Sequence, residues 1–264
     1  MMKRSKVLER RIDKAIEEKS NLLNNVDRAD SLKIIPLESR KNPLVLAERL
    51  QIKYDSNAIF NPVSFEVNNG DRVALVGKNG AGKSSILKLI LEKSSTGNEN
   101  ILQPTGNTNN LALVEKAEYT GTLKVANDLK ISYISQSTEY LKGNLKEFVK
   151  KYEVEESIFK AMLVKMGFSN SEFDKDINQM SEGQKKKILI AKSISEQANF
   201  YIWDEPLNYI DILTRIQIEE AILKYKPTLI FVEHDETFIK KISTKVIELK
   251  KNILDGEMKK KFYS

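Results

Sequence analysis

The chain has 264 residues, of which 41% are hydrophobic and 30% are charged, and its net charge is +6. This length allows one large domain with an appendage, and the apolar content supports a buried core. The absence of cysteine excludes disulfides and cysteine-ligated metals and fits a cytoplasmic location. No apolar run reaches about 18 residues, and the charged N-terminus lacks an apolar signal core, so neither a membrane span nor a secretory signal is predicted.

Residues 3–26 are predicted to form one long helix that precedes the main domain. Its apolar side chains follow the alternating three- and four-residue spacing of a coiled-coil seam. They are Leu8, Ile12, Ala15, Ile16, Leu22, Leu23 and Val26. A helix with one narrow apolar stripe needs a partner helix, and the residues that follow offer none. Residues 27–43 are expected to be a connector, so that 1–43 form a linker helix and connector and 44–264 form the domain.

Short apolar runs and turn residues indicate the elements of that domain. Strands are predicted at 44–46, 50–54, 62–67, 72–76, 130–135, 199–203 and 228–232. Helices are predicted at 145–168, 182–196, 212–224 and 236–242. The polar, turn-rich residues 94–110 are expected to form an inserted surface loop. The alternation of strands and helices predicts an α/β fold.

The segment GKNGAGKS, Gly77 to Ser84, lies between a predicted strand and a predicted helix. This spacing builds a loop whose backbone N–H groups surround phosphates, and the next helix directs its positive end at them. Lys83 is predicted to reach the outer phosphates of a nucleoside triphosphate, and the Ser84 hydroxyl is predicted to bind Mg²⁺. The alternative is a glycine-rich strand–helix turn that binds nothing.

Acidic residues follow the apolar strand Phe200 to Trp203, which is typical of a buried parallel strand. Ligands of open α/β sheets bind beyond the carboxyl ends of the strands, which places Asp204 and Glu205 beside the phosphate loop. Asp204 can orient the Mg²⁺ shell, and Glu205 can polarise an attacking water. Without the glycine loop, the two acids would indicate only a turn before Pro206.

His234 is the single histidine of the chain and follows the next predicted strand. A lone histidine is more often structural than catalytic. Because this one lies at the same strand end as the acidic pair, it is predicted to donate a hydrogen bond to a γ-phosphate.

In their order, these motifs resemble the ATP-binding cassette (ABC) ATPases over residues 44–250. The resemblance implies a P-loop fold with a mixed sheet core, an antiparallel β subdomain and a helical subdomain at about 140–197. It implies ATP and Mg²⁺ as cofactors. Glu205, His234 and Lys83 are the implied catalytic residues, and Ser84, Gln136 and Asp204 the implied metal ligands. The implied nucleotide-binding residues are Tyr54, Gly77, Lys78, Asn79, Gly80, Ala81, Gly82, Lys83, Ser84, Ser85, Gln136, Ser181, Gly183, Gln184 and Asp211. Tyr54 resembles the aromatic residue that stacks on adenine, with Phe60 as the second candidate.

The segment Met180 to Gln184 resembles the ABC signature motif. Ser181 and Gln184 also have the spacing of a helix capping box, so the segment is predicted to start a helix. Glu182 stands where the family usually has glycine. This difference is expected to lower ATP affinity or to alter the closing of two cassettes around ATP. Gly77–Ser84 and Phe200–Glu205 resemble the Walker A and Walker B motifs of the family. In this family each ATP lies between the Walker motifs of one cassette and the signature of another, so the resemblance implies a second cassette, as a homodimer or as a tandem half.

Residues 1–43 resemble the second linker helix of ABC-F proteins, which are soluble, ribosome-binding ATPases. The segments Trp203 to Asp211, Ser181 to Lys187 and Phe231 to Asp235 resemble the antibiotic-resistance group of Lsa type. That resemblance implies the C-terminal half of a longer tandem protein with the ribosome as its partner. Two other hypotheses remain: the ATPase subunit of an ABC transporter, and a cassette that binds ATP but stays monomeric and inactive.

Basic residues concentrate in two stretches, 1–14 and 240–261. They are consistent either with solvated helical faces or with contacts to the phosphate backbone of RNA.

Overall fold

The computed structural model describes residues 31–54, 57–95 and 117–251. The predicted helix at 3–26, most of the predicted loop at 94–110 and the C-terminal part of the second basic stretch lie outside these residues. Within the described ranges, no helix is both long and apolar enough to cross a bilayer.

The described elements are eleven strands, seven α-helices and a short 3₁₀ turn. The strands are β1 (Ile35–Pro36), β2 (Val45–Tyr54), β3 (Asn57–Ala58), β4 (Val63–Val67), β5 (Arg72–Val76), β6 (Ala117–Val125), β7 (Ile131–Ile134), β8 (Gln197–Ala198), β9 (Phe200–Asp204), β10 (Leu229–Val232) and β11 (Lys245–Glu248). The helices are α1 (Lys83–Ser95), α2 (Leu145–Lys151), α3 (Glu156–Lys165), α4 (Asn170–Phe173), α5 (Glu182–Ser195), α6 (Ile212–Tyr225) and α7 (Glu236–Ile242). The 3₁₀ turn is Ile177–Gln179.

A five-stranded parallel sheet forms the centre, in the order β11-β5-β10-β9-β7. Strand β9 is buried along its whole length because both faces of the sheet are covered. Its alternate residues enter different cores. Tyr201 and Trp203 pack in the core that contains the helices α2, α3, α5, α6 and α7. Phe200 and Ile202 pack in a second core, with α1 and the antiparallel strands.

The antiparallel sheet contains β3, β2 and β4, and β6 pairs with the opposite edge of β2 along its whole length, from Val45 to Tyr54. The pattern analysis did not predict β6. Glycine, threonine and charged residues dominate its sequence, so its apolar alternation is weak. Strand β6 is extended because it pairs with the long strand β2, a contact that only the tertiary structure provides.

The helical subdomain corrects one prediction. Residues 145–168 form two helices rather than one, because α2 ends at Lys151 and α3 starts only at Glu156. Between them Glu153 has a left-handed backbone, with φ of 50°. The Glu155 side chain then accepts hydrogen bonds from the N–H groups of Ser157 and Ile158 and so caps the second helix.

The segment that precedes β2 packs on the domain. Leu32 and Ile34 are buried in the helix-containing core, and β1 pairs with β8 in parallel. The compact unit that contains the central sheet therefore begins at Leu32, twelve residues before the predicted boundary at 44. The role of residues 1–43 as an interdomain linker stays a prediction.

Candidate nucleotide-binding site

The glycine loop follows β5 and leads directly into α1, as the sequence predicted. Gly82 has φ of +88°, a left-handed backbone that a residue with a side chain rarely adopts, so this turn of the loop favours glycine. Lys83 is buried, and its Nζ donates to the carbonyl oxygens of Gly77 at 2.9 Å and Lys78 at 3.3 Å. The loop thus holds an ammonium group inside its own turn, next to the N-terminus of a helix. This arrangement suits a polyanion.

Ser84 and Asp204 meet at the base of this loop. The Ser84 hydroxyl donates to Asp204 Oδ1 at 3.1 Å, although 120 residues separate them in sequence. Burial raises the pKa of Asp204, and the hydrogen bond from Ser84 offsets only part of that increase. A hydroxyl beside a carboxylate supplies the oxygen ligands that Mg²⁺ prefers, so the residues present fit this ion.

Glu205 lies at the centre of three polar side chains. Its Oε2 accepts from Gln136 Nε2 at 3.0 Å and from Asn208 Nδ2 at 2.8 Å. Its Oε1 lies 3.1 Å from His234 Nε2. Burial raises the pKa of Glu205, but the hydrogen bonds with His234, Gln136 and Asn208 outweigh it and leave the pKa below its usual value. The carboxylate is therefore ionised at neutral pH.

The order of the strands explains this convergence. Strands β7, β9 and β10 are neighbours, and Gln136, Glu205 and His234 follow their carboxyl ends. The registers place Ile134 opposite Trp203 and Val232 opposite Asp204, so the three strands end nearly level. The three residues therefore gather at the carboxyl end of the parallel sheet, where the sequence placed them.

The backbone of Glu205 is unusual for a residue with a side chain. Its φ is 50°, in the left-handed region, at a cost of about 1–3 kcal/mol. Its N–H donates to Val232 O at 3.0 Å. The next residue is Pro206, which disfavours the right-handed helical region for the residue before it. Backbone strain of this kind at a polar cluster indicates a functional position.

A cleft of about 590 Å³ joins these groups. The residues that line it are Tyr54, Ile59, Asn79, Gly80, Ala81, Gly82, Lys83, Ser84, Ser85, Gln136, Glu205 and His234. Tyr54 stands at its side, with its hydroxyl 3.1 Å from Ser85 Oγ. Phe60 is fully buried, so in this conformation it offers no face to a ligand. The geometry therefore favours Tyr54 over Phe60 as the aromatic contact.

The predicted signature residues do not line this cleft. Ser181 caps α5, because its hydroxyl accepts from the Gln184 N–H at 3.2 Å and its own N–H donates to Gln184 Oε1 at 2.9 Å. The predicted capping box is thus confirmed. A Cβ on Gly183 would lie 2.6 Å from the Tyr209 carbonyl oxygen, so only glycine lets the two segments approach this closely.

Asp211 also lies outside the cleft lining. It caps α6 by accepting from the Thr214 N–H at 2.9 Å, and Lys187 Nζ lies 2.7 Å from its other oxygen. Through this ion pair Asp211 is bound to the helix that carries the signature.

The pattern analysis missed two residues of the site. Asn208 contacts Glu205 from three residues further along the chain, within the segment that had been compared with the family motif. Lys186 is buried, and its Nζ donates to the Glu205 carbonyl oxygen. Asn208 could have been found from its position three residues after Glu205. A lysine on a basic stretch gave no signal that it would be buried.

Comparison with known proteins identifies the family of the chain. The family model described as ABC transporter matches residues 60–208, which is more than half of the chain. ABC transporter F family member 2 of Arabidopsis thaliana is 32% identical over 209 residues, which are 78% of this chain and 28% of that protein. The ribosome protection protein VmlR of Bacillus subtilis is 26% identical over 211 residues, 78% of this chain and 34% of VmlR. The chain thus spans about a third of the length of these relatives.

A solved structure titled RNase-L Inhibitor superimposes with a TM-score of 0.57 at 26% identity, over 80% of this chain and 38% of the other. This superposition confirms the cassette fold that the resemblance implied. The matched range 60–208 includes the glycine loop and the strand that ends at Asp204. The chain therefore belongs to the ABC transporter family and is an ATP-binding, ATP-hydrolysing cassette with relatives of the ABC-F type.

Proposed function

We propose that this cassette belongs to an ABC-F protein of the Lsa type, forms its C-terminal half, and acts in the cytoplasm on the ribosome to counter an antibiotic. The relative named as a ribosome protection protein supports the proposal, as do the segments Trp203–Asp211 and Ser181–Lys187. The short coverage of the relatives is consistent with a longer tandem protein.

We assign the catalytic roles from the cluster on Glu205, which is the observation that carries the hydrolytic part of the proposal. The ribosomal part depends on the relative named as a ribosome protection protein. Its ionised carboxylate takes a proton from the attacking water. Gln136 and Asn208 hold that carboxylate in place. His234, whose side chain is 47% exposed and lines the cleft, donates a hydrogen bond to the γ-phosphate of bound ATP.

Lys83 and the loop N–H groups bind the outer phosphates, and Tyr54 stacks on the base. Ser84 and Asp204, with Gln136 at the edge, would hold Mg²⁺, which would neutralise charge on the phosphates when bound. The remaining loop residues contribute backbone donors.

A second cassette completes the site in this proposal. Tyr209, Ile212 and Leu213, which flank Asp211 in sequence, are 77%, 75% and 58% exposed. Such an exposed apolar group beside the site is typical of an interaction surface. Ser181, Gly183, Gln184 and Asp211 would then face the nucleotide of the partner cassette. ATP favours the closed pair because only that form offers both half-sites.

The test uses the product of the natural reading frame with Glu205→Gln, which should trap the ATP-bound state. We expect this variant to sediment with 70S ribosomes in the presence of ATP and to dissociate after removal of ATP. The parent should release faster. Ribosome pellets that lack the variant, together with its recovery in the membrane fraction, would contradict the ribosomal proposal and favour a transporter subunit.

A further inference from the structure

Lys186 is a buried cation at the centre of the described domain. It lies on α5, only 2% of it is exposed, and its Nζ donates to two backbone carbonyl oxygens. One belongs to Ser135 and the other to Glu205, both at 3.1 Å. A buried ammonium is costly unless it is hydrogen-bonded, so these contacts account for its tolerance there.

The two carbonyl groups belong to neighbouring strand ends. Ser135 follows β7 and precedes Gln136, whereas Glu205 follows β9. Lys186 thus connects the two backbone segments from which the hydrogen-bonded pair Gln136 and Glu205 projects. A shift of either segment would separate the amide from the carboxylate.

The backbone of Glu205 is held on both sides. Its N–H donates to Val232 O, and its carbonyl accepts from Lys186. Its φ of 50° requires such support, because a left-handed residue with a side chain persists only where its surroundings determine it. Without the ammonium group, the carbonyl oxygen would lose its hydrogen bond and the residue could relax.

The first turn of α5 also contacts the segment Ser135–Thr138, which follows β7. Glu182 accepts a hydrogen bond from Thr138, and Lys185 forms an ion pair with Glu182 at 3.0 Å. Glu182 and Lys186 are one helical turn apart, so both reach the segment Ser135–Thr138 from one face of the helix. The position of the Lys186 stem is therefore determined by the helix and its contacts.

The surrounding charge also suits a cation. Burial lowers the pKa of Lys186, and the nearby carboxylates of Asp204, Glu205, Glu233 and Glu182 partly offset this. An ammonium at this point reduces the repulsion between Asp204 and Glu205, which are adjacent in sequence. An apolar side chain would not.

We propose that Lys186 is a positioning residue that holds the Glu205 carboxylate in register with Gln136 and His234 through its two carbonyl contacts. This inference rests on the proposed role of Glu205 as the base. It adds a link by which the position of the signature helix α5 sets the geometry of the catalytic carboxylate in the same chain.

The single histidine provides a direct measurement of that geometry. Its Nε2 lies 3.1 Å from Glu205 Oε1, so the ¹⁵N resonances of the imidazole in a histidine-labelled chain report on this contact. We expect Lys186→Met to displace these resonances from their parental positions, as Glu205→Gln should. Lys186→Gln, which is neutral and too short to reach both carbonyls, should give the same shift and serves if the methionine variant does not fold.

Lys192→Met is the matched control. Lys192 lies on the same helix, is 5% exposed and pairs with Glu196 at 2.8 Å, away from the cleft. Its loss should lower the melting temperature without moving the histidine resonances. Resonances that stay at the parent positions in the folded Lys186 variants, while Glu205→Gln moves them, would overturn the proposal.

ATP turnover at high protein concentration separates this inference from the proposed base. A misplaced carboxylate should lower kcat by about 10- to 100-fold in Lys186→Met while KM for ATP changes little. An unchanged kcat in Lys186→Met with a large loss in Glu205→Gln would refute the role of Lys186 alone. Parental turnover in Glu205→Gln would instead refute the role of Glu205 as base, whereas the spectra would still decide whether Lys186 positions it.

Discussion

Glu205→Gln tests the assignment of the base most directly, because the change is nearly isosteric. The amide oxygen can take the place of Oε2 and keep the hydrogen bonds from Gln136 and Asn208, now 3.0 and 2.8 Å long. The amide nitrogen would then face His234 Nε2 across 3.1 Å, and a neutral imidazole can accept there. The fold and the cleft should therefore persist, and only the proton acceptor is lost.

Loss of a general base lowers the rate by about 10²–10⁴-fold. We expect phosphate release to slow by that factor, measured in a single-turnover assay on the product of the natural reading frame. Affinity for a fluorescent ATP analogue should stay within about twofold, since binding of the nucleotide in its ground state does not depend on the Glu205 carboxylate. Glu236→Gln, an exposed carboxylate on α7 that pairs with Lys240, serves as the control. Equal phosphate release by Glu205→Gln and parent would refute the reasoning.

Three further outcomes follow from the same structure. Tyr54→Ala should weaken ATP binding by about two- to tenfold, because it removes one aromatic stacking interaction with adenine. An unchanged affinity in equilibrium titration would show that Tyr54 does not contact adenine. Gly183→Ala should destabilise the fold by about 1–3 kcal/mol, because its Cβ would lie 2.6 Å from the Tyr209 carbonyl oxygen; a parental denaturant midpoint would contradict that contact. Because hydrogen bonds hold the pKa of Glu205 below its usual value, its carboxylate should stay ionised as the pH falls from neutral into the mildly acidic range, so any acid limb of kcat/KM there should match the protonation of ATP itself. An acid limb steeper than ATP protonation accounts for would assign the base to another group or show that the carboxylate is not stabilised as described.

The sequence alone determined the local parts of this protein. The spacing of the glycine loop, the continuous apolar run of β9 and the capping box of Ser181 and Gln184 each depend on neighbours within one turn or one strand. Their physical causes are local: backbone freedom at glycine, burial on two faces, and satisfaction of helix-terminal N–H groups. For this reason the motifs and most element positions could be predicted, and the family resemblance carried by the motifs then implied the cassette fold.

Only the tertiary structure decided how those parts meet. Gln136 and Glu205 are 69 residues apart, and their contact depends on the adjacency of β7 and β9 in the sheet, which hydrophobic periodicity does not encode. Strand β6 forms through pairing with β2 despite a weak pattern of its own. Lys186 reads as one of three consecutive surface lysines, yet the packing of α5 against the strand ends buries it between two carbonyl oxygens. Burial and strand order are properties of the assembled layers, since each depends on what the other elements cover.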